Sequence, residues 1–88
     1  MDFIVLIDKA LMVINTEINE EENRIYKERY LKMINYLERL KEAFKMGKIN
    51  KKNLCLSIVR MLDHGDSERL QDVISEVNHY YQENIYEE

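Results

Sequence analysis

Two glycines, Gly47 and Gly65, are the only breaks in a chain of 88 residues that contains no proline. So few backbone breakers exclude collagen-like, Pro-rich and Gly-rich loop architectures, and leave no material for a phosphate-cradling loop. Each glycine follows an apolar periodic stretch, as Met46-Gly47-Lys48 and His64-Gly65-Asp66. A left-handed residue just past a helix end closes it without strain, so both glycines are expected to terminate helices.

Reading between these stops gives four helical segments. The first runs from Phe3 to Ile14, with a soft boundary near Asn15-Thr16. Phe3, Ile7, Ala10, Leu11 and Ile14 share one face, while Val5 and Met12 lie on the other beside Asp8 and Lys9. A competing reading makes Phe3 to Ile7 a short buried strand. The second segment, Glu17 to Met46, aligns Tyr26, Tyr30, Met33, Leu37, Leu40 and Phe44 in a heptad-like seam. In the third, Lys51 to Asp63, Asn50 is the expected N-cap, with Ile49 packing on Leu54 as a hydrophobic staple. Its apolar circumference, broken only by Asn53, Ser57 and Arg60, predicts a central position. In the last, Ser67 to Tyr86, Asp66 or Ser67 is the cap, and Leu70, Val73, Ile74, Val77, Tyr81 and Ile85 face inward. The expected fold is all-α: one domain over residues 1–88, built as a small antiparallel bundle of about four helices.

With 45% hydrophobic and 34% charged residues, the chain has the composition of a soluble globule. No apolar run is long enough for a membrane span. Asp2 in the leader, and Asp8 and Lys9 within the first apolar run, argue against a secretion signal. The lone Cys55 fits a reducing cytoplasm and is expected on the buried side of the third helix, which makes a thiol inert.

The net charge of −4 hides a strong segregation. Residues 1–23 sum to −5, residues 24–60 to +8 and residues 61–88 to −7. Within the middle of the chain, Glu20/Arg24 and Glu28/Lys32 have the i,i+4 spacing of an exposed helix face. On the last helix, Glu68, Asp72, Glu76, His79 and Glu83 fall within about 80° of one another, and Arg69, its only base, lies at the edge of that arc. Tyr80 projects at the margin of this acidic stripe, an amphipathic ring beside a row of carboxylates. Such a surface suits a basic partner, the ring supplying contact area and the acids supplying steering. These six residues, Glu68, Asp72, Glu76, His79, Tyr80 and Glu83, are the candidate partner-binding site.

Arg39, Lys41, Lys45, Lys48, Lys51 and Lys52 gather around the turn between the second and third helices. The sequence there offers no aromatic or Asn/Gln pattern for reading bases, so direct nucleic-acid binding is not expected. Glu76-x-x-His79 has the spacing of half a di-iron site, but His64 lacks the matching carboxylate, so neither metal nor other cofactor is expected. No nucleophile motif is present, and an enzyme is not expected.

By size, acidity and helical topology the chain is of the same general kind as bacterial immunity proteins and small phage-encoded inhibitors, which neutralise basic nucleases or nucleic-acid-binding enzymes. The expected function is therefore an immunity or antitoxin-like inhibitor, acting in the cytoplasm on a basic protein such as a nuclease toxin. A regulator using the basic turn on nucleic acid, and a structural or adaptor bundle, are the alternatives. Val5 and Met12 add a homodimer through helix one as a further expectation.

Overall fold

The computed structural model describes residues 2–20 and 25–87. Among these the chain is all-helical: α1 spans Phe3–Ile18, α2 Lys27–Lys45 and α3 Glu68–Asn84, with a short 3-10 turn at Ser57–Met61. Phe3 to Ile7 is helix, not strand, and Asp2 caps it by accepting the Ile4 N–H at 3.4 Å. No helix among the described residues is long and apolar enough to cross a membrane.

The expected boundary at Asn15-Thr16 does not form, and α1 runs one turn further. Thr16 Oγ1 donates to the Met12 carbonyl at 3.0 Å and Asn19 Nδ2 to that of Asn15 at 2.9 Å, so these polar side chains bond within the helix. Burial of Ile14 and Glu17 on the inner face carries the helix through. α2 correspondingly starts at Lys27; the expected helical stretch over residues 21–24, and with it Arg24 of the Glu20/Arg24 spacing, lies outside the described residues. Tyr30, Met33 and Leu37 of its seam are buried, with Tyr26, Leu40 and Phe44 packed at the core margin.

Only Gly47 among the glycines has positive φ, at 68°. Lys48 N–H bonds the Ala43 carbonyl at 2.8 Å and Gly47 N–H that of Phe44 at 3.1 Å, the paired bonds of a Schellman stop. Gly65 does not take the left-handed role expected of it, because no α-helix precedes it. Its turn is closed instead by Asp66 N–H to the Asp63 carbonyl at 3.0 Å.

The third helix is the main correction. Between Gly47 and Asp66 the chain forms a strap, regular only in the 3-10 turn, so the bundle has three α-helices rather than about four. A 13-residue helix is marginal without packing on both sides, and Ile58 and Val59 weaken it further. Its backbone donors also have better partners elsewhere. Asn53 N–H donates to Tyr81 Oη at 3.2 Å, Leu56 N–H to Asn78 Oδ1 at 2.8 Å and Ser57 N–H to Tyr36 Oη at 3.2 Å. Asn50 caps no helix; its Oδ1 accepts from Lys52 N–H at 2.9 Å in a local turn. The staple fails too, since Leu54 is 76% exposed.

Contacts fix the topology. Phe3 meets both Phe44 and Tyr80, with ring centroids 5.0 and 5.4 Å away, and Lys9 pairs with Glu76 at 3.3 Å. α1 is thus antiparallel to both long helices, and the strap runs back between them in place of a fourth helix. Tyr81, Ile74, Leu70, Ile7, Ile14 and Met33 are among the side chains that close the core.

One buried ionic cluster pins the top of the strap. Asp66 accepts two bonds from the Arg29 guanidinium, at 2.9 and 2.5 Å, one from Tyr30 Oη at 3.0 Å and one from Asp63 N–H at 2.9 Å. Burial alone would raise the Asp66 pKa, but the bonds from Arg29, Asp63 N–H and Tyr30 outweigh it and hold the carboxyl below its ordinary value. Burial, then the bond to Asp66, pushes Tyr30 up to about 12. A phenol that ionises near 10 when unfolded stays protonated longer when folded, so stability is full below pH about 10 and is lost as pH rises toward 12. Alkaline unfolding followed by circular dichroism should show this loss, and Tyr30→Phe should abolish that component.

Candidate functional site

α3 begins where Ser67 Oγ accepts the Leu70 N–H at 3.3 Å, with Glu68 complementing the dipole in the first turn. Of the two expected caps the structure uses Ser67, because Asp66 is occupied by Arg29. The inner face is buried at Leu70, Val73, Ile74, Val77 and Tyr81. That burial turns Glu68, Asp72, Glu76, His79 and Glu83 outward, and all five are exposed.

Three of the five expected polar residues are brought to one place. Asp72, Glu76 and His79 line an open groove of about 530 Å³ between α3 and the strap, together with Val59, Asn78 and Gln82. Glu83 pairs with His79 at 3.1 Å, and Glu76 with Lys9 at 3.3 Å. Both pairs are exposed, and such pairs are worth little when a competing cation arrives. Glu68 stands at the N-terminal end of the stripe, outside the groove lining.

Arg69 does not neutralise the stripe. Its guanidinium turns to α1, pairing with Glu17 at 3.0 Å and Glu20 at 2.5 Å. The bond to Glu17, with its charge, raises the Arg69 pKa. Glu17 is buried there and also accepts a hydrogen bond from Ser67 Oγ. A reading of α3 by itself has no access to this arrangement, because the acceptors lie about fifty positions away in sequence.

Tyr80 is less free than its helical address suggests. It is half-buried, and its ring stacks on Phe3 with an interplanar angle of 20°. Val59 is the apolar residue of the groove lining, and Leu54, whose backbone adjoins the groove-lining Gln82, is exposed. Gln82 Nε2 donates to the Leu54 carbonyl at 2.9 Å and Asn78 accepts from Leu56 N–H, so two groove-lining amides hold the bend that presents Leu54. Gln71, bonding the Asp66 carbonyl at 2.8 Å, extends this amide row up the strap. The row at positions 71, 78 and 82 is legible as helical spacing, but its hydrogen-bond partners are not.

The basic residues are dispersed. Lys41 pairs with Asp8 at 2.6 Å and Lys51 with Glu87 at 3.5 Å, while Arg39, Lys45 and Lys48 are exposed. The fold also supplies the aromatic that the basic turn lacks and gives its own asparagines a role that the sequence reading missed: Tyr36 joins Asn50 and Asn53 in lining a second groove beside Arg39. Cys55 lies half-buried in a bend of the strap rather than on a helix, 3.4 Å from the Leu56 carbonyl. Among the described residues no three His, Cys, Asp or Glu side chains are grouped to hold a metal ion. Val5 and Met12 of α1 are 50% and 70% exposed, on the side away from the core. Comparison with protein-family models, curated proteins and solved structures finds no match.

Proposed function

We propose that the protein is a binding module that captures a basic protein on the outer face of α3, in the manner of an inhibitor or antitoxin. The observation that carries this reading is the groove holding Asp72, Glu76 and His79: Arg69, the one Lys or Arg of α3, is drawn off to α1, and Lys9 meets Glu76 only in an exposed pair. Carboxylates on a rigid helix steer a cationic partner and raise the association rate. Leu54, whose carbonyl accepts from Gln82 two residues before the Leu56 N–H that Asn78 accepts, supplies apolar contact area at low entropic cost because its backbone is already fixed. The rigid bundle has little to order on binding.

The test is charge reversal on folded protein. Tagged protein recovered from cells that express it should retain a basic partner, and Asp72→Lys with Glu76→Lys should slow association at least tenfold while leaving the melting temperature within a few degrees. Steering of this kind falls steeply with ionic strength, so the wild type should also lose its rate advantage at high salt. Equal capture rates for wild type and variant would make the stripe an ordinary solvated face.

A further inference from the structure

The strap separates two surfaces of opposite sign. On its α3 side is the acidic groove; on its α2 side are two adjoining hollows of about 330 and 300 Å³ that share Tyr36 and Arg39. No carboxylate lines either hollow. Lys32, Asn35, Tyr36 and Arg39 follow one another along α2 at helical spacing, so this row is about 10 Å long at 1.5 Å per residue. Asn50 and Asn53 face it from the strap, and Leu40, Ile49 and Leu56 supply apolar lining. Lys32 and Arg39 make no ion pair among the described residues.

We propose that this α2–strap groove binds single-stranded nucleic acid, with a base against Tyr36 and the backbone phosphates on Lys32 and Arg39. Four observations select this occupant. The cations are unpaired and flank an aromatic ring, the combination that lets a single strand stack while its backbone is neutralised. The ring is held in place, because its hydroxyl accepts the Ser57 N–H at 3.2 Å. Amides from Asn35, Asn50 and Asn53 offer donors and acceptors to the edge of an unpaired base. The site is concave and short, on a chain of net charge −4, which disfavours the long convex backbone of a duplex. Acidic peptide would satisfy the cations but would leave the ring and the amides unused.

This site is independent of the α3 face, and its test does not involve the basic-protein partner. Fluorescence anisotropy with labelled twelve-residue oligo(dT) and oligo(U), at low salt, should show saturable binding with a log–log salt slope near −1.4, about 0.7 for each of two phosphates. A duplex of the same length should bind at least tenfold more weakly. Tyr36→Leu should weaken single-strand binding about tenfold, Tyr36→Phe should retain it, and Arg39→Gln should weaken it and flatten the slope. Should Tyr36→Leu fail to fold by circular dichroism, Arg39→Gln and Lys32→Gln, both at exposed positions, carry the test. No binding at low salt would overturn the proposal. So would equal affinity for duplex, unchanged affinity in the Arg39 and Lys32 variants, or displacement by polyglutamate at equal charge concentration.

Discussion

Arg29→Met should destabilise the protein by about 3–5 kcal/mol at neutral pH, the loss typical when one member of a buried ion pair is removed and the other charge stays behind. The Asp66 side chain is fully buried, and Arg29 supplies two of its four hydrogen bonds. Arg29 also donates to the Met61 carbonyl at 2.7 Å, so one residue ties α2 to the end of the 3-10 turn and to Asp66, the residue before the cap of α3. Its guanidinium lies over the Tyr26 and Tyr30 rings at 5.2 and 4.9 Å from their centroids, contacts a methionine replaces only in part. Chemical denaturation across pH separates charge from packing. In the wild type the Asp66 carboxyl is held below its ordinary value of 3.8, so its contribution is present above that pH and is lost as pH falls through the depressed value. Without Arg29, burial favours the protonated acid, and the gap between variant and wild type should narrow as pH falls toward 4. A gap of the same size at pH 4 and pH 7 would mean that lost packing, not the stranded carboxylate, causes the defect.

Tyr81→Ala should be as damaging, at about 3–5 kcal/mol for an aromatic ring removed from a closed core. Tyr81 is fully buried, packs against the Tyr86 ring at 6.4 Å and joins the strap twice. Its hydroxyl donates to the Asn50 carbonyl at 2.7 Å and accepts the Asn53 N–H at 3.2 Å. Tyr81→Phe isolates the second role: it keeps the ring and leaves both backbone groups unpartnered, at a cost of about 1–3 kcal/mol. Hydrogen exchange should then rise at Asn53, Leu56 and Ser57 in Tyr81→Phe while the α1 amides stay protected. Uniform loss of protection across the chain would show that the strap and the helices unfold as one unit.

Periodicity alone determined a good deal of this protein. The inward residues of α3, from Leu70 to Tyr81, and the buried centre of the α2 seam follow from 3.6-residue spacing, because an amphipathic helix has one way to hide its apolar side. Gly47 is equally local, since a Schellman stop needs one residue with positive φ and glycine takes it freely. The outward direction of Glu68, Asp72, Glu76, His79 and Glu83 follows from the same spacing.

The tertiary structure decided where local preference was weak or where the partner lay far along the chain. Residues 51–63 have helical periodicity, yet Tyr36, Asn78, Tyr81 and Gln82 offer their backbone groups fixed partners that a short isolated helix cannot match. Gly65 looked like a helix stop only because a helix was expected before it. Asp66 resembled a cap in sequence; folding surrounds it with Arg29 and Tyr30 and leaves capping to Ser67. Arg69 leaves the acidic stripe for Glu17, and Tyr80 turns its ring to Phe3, because α1 lies antiparallel beside α3. Tyr36 meets Asn50 and Asn53 only because the strap folds back along α2. Each of these outcomes depends on contacts between residues from 14 to 77 positions apart, where helical spacing has nothing to say.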